Sequence, residues 1–221
     1  MQYQNLRNAY LNQEKWIFQG VGELGIPPLP AVDVPLLDSK FIRFDMALKD
    51  KNPEDKIVHF FTDDFLFDRV WHQPERYLQM LGRFRAVIAP DFSMYTDHPR
   101  ICQMFNHFRK HWCGAYWTGM GITVIPSPSW VMGSQEDFSW CLDGEPMRST
   151  ICISSHGAIK GDIRKAQFLA GWNEVIRRLE PERIFLFGDT FPGLEFPGGE
   201  LVHVTNEVMQ AKRRYCKRGQ R

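Results

Sequence analysis

The chain has 221 residues, of which 43% are hydrophobic, 24% charged and 14% aromatic. This length and balance exclude a disordered, collagenous or coiled-coil protein and leave room for a core that needs no disulfide or metal. The formal net charge of +1 averages two unlike parts: residues 212–221 hold six basic and no acidic side chains, whereas the rest carries 21 basic against 26 acidic. An acidic body with a basic tail is a different electrostatic object from a neutral protein.

Residues 1–19 are polar, with Leu6, Ala9, Tyr10, Trp16 and Ile17 at loosely helical spacing, and predict a short docking helix. The opening MQYQNLRNAY has no apolar h-region, and no run reaches the roughly 18 apolar residues of a membrane helix. A cytoplasmic protein with no membrane partner is expected. Residues 20–35 concentrate Gly20, Gly22, Gly25, Pro27, Pro28, Pro30 and Pro35 and predict a linker or surface-wrapping arm. Gly20–Gly25 match G-x-G-x-x-G, but the prolines that follow forbid the helix a dinucleotide site requires, so no nicotinamide or flavin cofactor is expected. The five cysteines, 102, 113, 141, 152 and 216, form no C-x-x-C pair and read as reduced structural thiols.

From about residue 40, short β-branched or aromatic runs alternate with helical periods. The runs cover 41–44, 57–61, 86–89, 122–125, 150–153, 184–187 and 201–204, and the helices 74–84, 99–117 and 164–179. Alternation predicts an α/β core over 40–206, a mostly parallel sheet, either open and three-layered or curled into a partial barrel. An amino-terminal arm over 1–39 and a basic tail over 207–221 flank it. On helix 99–117, Ile101, Met104, Phe105, Phe108, Trp112 and Ala115 form the expected core stripe, and His107 and His111 fall on the polar face.

Ligands of such folds bind at the carboxyl ends of the strands. Those ends read Thr62-Asp63-Asp64, Pro90-Asp91-Phe92-Ser93, Pro126-Ser127-Pro128-Ser129-Trp130, Ser154-Ser155-His156-Gly157 and Gly188-Asp189-Thr190. Two readings stand: the Asp residues cap helices and the Ser and Gly residues make turns, or the set forms a cleft. In the second, Asp63, Asp64 and Asp189 hold Mg²⁺ or Mn²⁺ through oxygen, and His156, Asp91 and Lys160 handle protons and charge. Ser127, Trp130, Ser154, Ser155 and Gly157 then contact substrate. No G-x-S-x-G elbow marks any serine as a hydrolase nucleophile. In the tail, Lys212, Arg213, Arg214, Lys217 and Arg218 supply cations able to contact DNA or RNA phosphates.

The blocks FTDDFLFDRVWHQPERYLQMLGRFRAVIAPDFSMY, HWCGAYWTGMGITVIPSPSW, STICISSHGAIK and RLEPERIFLFGD resemble, in the same order over roughly residues 55–190, an uncharacterised family of bacterial and bacteriophage proteins catalogued as domain of unknown function 4417. The resemblance brings no activity or catalytic residue. It implies a phage or mobile-element context, in which replication, DNA processing or interference with host defence is expected. Metal-assisted phosphoester chemistry at the strand ends is the first functional expectation; a non-catalytic protein that binds nucleic acid or a host factor is the alternative.

Overall fold

The computed structural model describes Asn12 and residues 15–35, 40–131, 138–158 and 160–204. Among the described residues there are seven strands: β1 (Lys40–Arg43), β2 (Lys56–His59), β3 (Ala86–Ile88), β4 (Val124–Ile125), β5 (Thr150–Ser154), β6 (Arg183–Phe187) and β7 (Glu200–Val204). Every pairing is parallel, in the order β1-β2-β3-β4 and β5-β6-β7. The Cys152 amide donates to the Pro126 carbonyl just past β4 (2.9 Å), which joins the two sets edge to edge.

Side-chain alternation shows how the sheet curls. Ile57, Ala86, Ile88, Ile125, Cys152, Phe185 and Phe187 share one buried cluster drawn from strands on both sides of the junction. Their neighbours point the other way, Val58, Val87 and Val124 into one helix-covered cluster and Ile151, Ile153, Ile184 and Leu186 into another. Phe41 of β1 meets Phe185 of β6 with ring centroids 5.5 Å apart, and His59 of β2 meets Phe187 at 4.5 Å. Strands far apart in the order therefore face each other across a common interior. Of the two predicted arrangements, this is the partial barrel, with helices outside. Burial on both faces explains why these strands read as nearly unbroken apolar runs.

The helices are α1 (Phe44–Ala47), α2 (Arg69–His72), α3 (Leu78–Leu81), α4 (Arg100–Gly119) and α5 (Asp162–Leu179), with 3-10 turns at Asp64–Leu66 and Pro74–Tyr77. The predicted helix 74–84 is thus a 3-10 turn running into the single turn of α3. Helix α5 buries Phe168, Trp172, Val175 and Leu179 as its periodicity predicts. It carries Asp162 in the first turn and Arg177 and Arg178 in the last, which complements the helix dipole.

Helix α4 departs from expectation. Trp112 and Ala115 are buried, but Ile101 is 71% exposed and Phe105 40% exposed. His107 and His111, expected on the polar face, are buried instead, and so is Lys110 between them. The helix is wedged between the outer face of β2–β4 and the segment 140–145, so it has two buried sides.

The Gly/Pro-rich arm is built into the fold. Gly20–Gly25 form a tight hairpin closed by a Val21–Ile26 bridge, with Gly22 and Gly25 at positive φ (68° and 61°). Val32 and Val34 then reach the amino-terminal ends of the strands. The Thr150 amide donates to the Val32 carbonyl (2.7 Å) and the Val34 amide to Thr150 Oγ1 (3.0 Å). The arm closes the end of the barrel opposite the predicted cleft. The predicted helix over 1–19 lies largely outside the described residues; Trp16 and Phe18 dock on Tyr116 and Trp112 of α4.

Candidate functional site

A cavity of about 190 Å³ opens at the carboxyl ends of β2 to β5. Phe61 comes from the end of β2, Asp91, Phe92, Ser93 and Tyr95 from the loop after β3, and Ser127, Ser129 and Trp130 from the loop after β4. Ser154 and His156 enter from β5, and Phe168 from α5 closes one side. Parallel strands place these ends on one rim. The structure thus brings together Asp91, Ser127, Trp130, Ser154 and His156 from the predicted set.

Other predicted residues do different work. Ser155 is buried and its hydroxyl donates to the Asp189 carbonyl (2.7 Å), tying the end of β5 to the end of β6. Gly157 has φ 84° and serves the turn. Lys160 is exposed beyond that turn and does not line the cavity. Asp63 is exposed and precedes the 3-10 turn without capping it. Asp64 accepts from the Ser93 amide (3.1 Å) and hydroxyl (2.7 Å), which pins the loop after β3. Asp189 does not line the cavity either. Among the described residues no three His, Cys, Asp or Glu side chains gather as a metal site, so Asp63, Asp64 and Asp189 are not assembled into the expected ligand set. Lys212, Arg213, Arg214, Lys217 and Arg218 lie outside the described residues.

Behind the cavity sits a buried charge network that the sequence reading missed. Lys110 Nζ donates to the Ser127 carbonyl (2.9 Å), Ser129 Oγ (3.2 Å) and Glu145 Oε1 (3.0 Å), which uses all three ammonium protons. His111 Nε2 lies 3.1 Å from the same Glu145 oxygen, and His107 bonds the Asp143 carbonyl. Burial alone would raise Glu145, but Lys110 and His111 outweigh it and hold the carboxyl well below its ordinary range. The ammonium is therefore a strut for the loop that carries Ser127, Ser129 and Trp130. One signal for it was present: His107, Lys110, His111 and Gly114 recur at i, i+3, i+4, i+7, and a Cβ on Gly114 would meet Leu29 at 2.9 Å.

The two titrating groups of the cavity differ. Burial pushes the Asp91 carboxyl up to about 6; Lys110 opposes the shift, and Asp64 and Glu145 add to it. At the mouth, loss of water lowers the His156 imidazole, against an opposing pull from Asp189. His156 is thus neutral at neutral pH. Its Nδ1 stands 3.2 Å from Ser154 Oγ, which also accepts from the His156 amide at 3.3 Å. The hydroxyl and the ring nitrogen are thus in hydrogen-bond contact, with the imidazole tautomer setting which of them donates.

The fold defines an α/β partial barrel with a rim cleft, and the sequence places it: over residues 18–199 the chain matches the family described as Domain of unknown function (DUF4417), and it belongs to that family. Similar proteins are the Gene 1 protein of Mycobacterium phage L5, 40% identical over 131 residues, and that of Mycobacterium phage D29, 39% identical over 131 residues. Each match covers 59% of this chain but only 56% and 48%, respectively, of the relative. The chain is thus a phage-type protein that matches about half the length of these relatives. No solved structure matches it.

Proposed function

We propose that the protein acts on nucleotides or nucleic acid, with the cleft at the ends of β2 to β5 as its ligand site. The observation that carries this reading is the convergence of Asp91, Ser154 and His156 with the rings of Phe61, Tyr95, Trp130 and Phe168 on one cavity. Aromatic faces take a base by stacking, and a neutral imidazole beside a hydroxyl takes or passes a proton. Among ring-shaped ligands this reading takes nucleotides and nucleic acid, in keeping with the phage source of the relatives. The basic tail supplies phosphate contacts that need no folded partner surface. Mg²⁺ or Mn²⁺ enters, in this reading, with the phosphates of the substrate.

The test uses the full chain with nucleoside mono- and triphosphates, single-stranded DNA and RNA, each with and without Mg²⁺ or Mn²⁺. Expected are saturable quenching of tryptophan fluorescence and product formation that falls about 10²- to 10⁴-fold in His156→Ala. Saturable binding without turnover leaves the non-catalytic alternative. Absence of binding to every member of the panel refutes the reading.

A further inference from the structure

Resting on the nucleotide reading of the cleft, we propose that it takes a guanine base, whose Watson–Crick edge is held by the Asp91 carboxylate and whose faces lie against the aromatic wall. Size limits the occupant first. About 190 Å³ is below the roughly 300–1,000 Å³ of sites that engulf a drug-sized ligand, so one ring system enters and the sugar and phosphate stay outside. The wall sets its shape. Phe61, Phe92, Trp130 and Phe168 offer faces or edges to a planar group, and Trp130 is itself braced on Phe168 at 5.0 Å.

Asp91 then sets its chemistry. Among the described residues no side chain hydrogen-bonds or ion-pairs with this half-buried carboxylate, and the nearby ammonium of Lys110 is used up on Ser127, Ser129 and Glu145. An ionised carboxylate only accepts, so it is satisfied by two adjacent donors. Guanine presents such a pair, the ring N1–H beside the exocyclic N2 amino group. Adenine and cytosine present an amino group beside a ring acceptor, and uracil and thymine a single N–H between two carbonyls. Each of these sets a lone pair against the carboxylate.

Protonation changes the preference. The groups that act on Asp91 are Lys110 of α4, Asp64 after β2 and Glu145 of the 138–146 segment; Asp91 in turn raises the Cys152 thiol of β5, and His156 lies in the same cavity. Burial and the two carboxylates outweigh the ammonium, so Asp91 is ionised at pH 7.5 and largely protonated at pH 5. A protonated carboxyl donates one bond and accepts one, which suits adenine or cytosine. Guanine binding therefore weakens as pH falls through about 6, while adenine and cytosine binding strengthens.

The experiment is calorimetric titration of the full-length protein with the 5′-monophosphates of guanosine, inosine, adenosine, cytidine and uridine at pH 7.5 and pH 5. At pH 7.5 the guanosine nucleotide is expected to bind at least about tenfold more tightly than the adenosine, cytidine and uridine nucleotides. Inosine monophosphate, which lacks the 2-amino donor, loses about tenfold against guanosine. Asp91→Asn offers one donor and one acceptor, so guanosine monophosphate loses its advantage and adenosine monophosphate gains. Because the substitution removes a half-buried charge, its melting temperature holds or rises. Wild-type pH dependence tests the same assignment without any variant. Equal binding of all five, or a preference for another base at pH 7.5, overturns the guanine assignment and leaves the nucleotide reading standing. No binding by any nucleotide or single-stranded oligonucleotide overturns both.

Discussion

His59 is an imidazole with aromatic neighbours and only 4% exposure, packed at 4.5 Å on Phe187 and 5.8 Å on Phe61. Its Nδ1 has no hydrogen-bond partner among the described residues. Burial, with smaller contributions from Arg43 and His156, pushes it down to about 3. In the unfolded chain it takes a proton near pH 6.5. As pH falls below that value the unfolded state binds the proton first, so the stability contribution, complete above about 6.5, drains away towards pH 3 at about 1.4 kcal/mol per pH unit. His59→Phe, which keeps the ring and removes the titration, is expected to flatten the acid limb of a melting-temperature profile between pH 6 and 4. An unchanged acid limb would assign the loss to other groups. The Lys110–Glu145 pair makes a second test at this scale, because both side chains are at most 2% exposed. Lys110→Met strands a buried carboxylate and is expected to destabilise by about 3–5 kcal/mol in urea titration. The double variant Lys110→Met/Glu145→Gln recovers much of that loss, since no lone charge remains.

At the scale of elements, Gly171 sits inside α5, where helix propensity favours alanine by about 1 kcal/mol. Packing decides the opposite way: a Cβ there would lie 2.2 Å from the Trp130 indole. Gly171→Ala is therefore expected to lower stability by about 1–3 kcal/mol, and to push Trp130 from the cavity wall, read as a shift in tryptophan emission. Increased stability would show that the indole has room to move. The same pair shows what the sequence made legible. All seven predicted runs overlap strands: the interior ones are buried on both faces and must be apolar throughout, while the edge strands β1 and β7 are only partly buried and keep polar residues. Helix α5 was legible because one face is buried and the other solvated. Helix α4 was not, since a helix wedged between two layers buries His107, Lys110 and His111 on one side while Ile101 and Phe105 stay exposed at its amino-terminal end. Periodicity finds one apolar stripe, and a polar stripe buried by pairing looks like a surface.

For the whole molecule, the rim was readable from strand ends alone, but which residues turn into the cavity depends on contacts across the barrel. Ser154 and Ser155 are neighbours in sequence, yet one lines the cavity and the other ties β5 to β6, because successive strand residues face opposite sides. Those same cross-barrel contacts bear on how the molecule unfolds. Ladder pairing divides the strands into sets of four and three, which by itself suggests two units able to open separately. The inner residues argue against it. Phe185 and Phe187 of the second set are fully or almost fully buried, and they pack on Phe41, His59 and Phe61 of the first. Opening one set would expose the inner face of both. Helix α4 adds a second tie, since Lys110 joins Glu145 to the loop after β4, and the arm adds a third where Val32 and Val34 cover the barrel end. Apolar burial stabilises by about 25 cal/mol per Å², so losing a shared aromatic interior leaves neither half with a sufficient core. Unfolding in urea is expected to be a single transition, with tryptophan emission and far-UV circular dichroism giving the same midpoint and slope. Trp112 and Trp117 report from the β1–β4 side and Trp140 and Trp172 from the β5–β7 side, so separate melting of the halves would split the fluorescence curve into two steps.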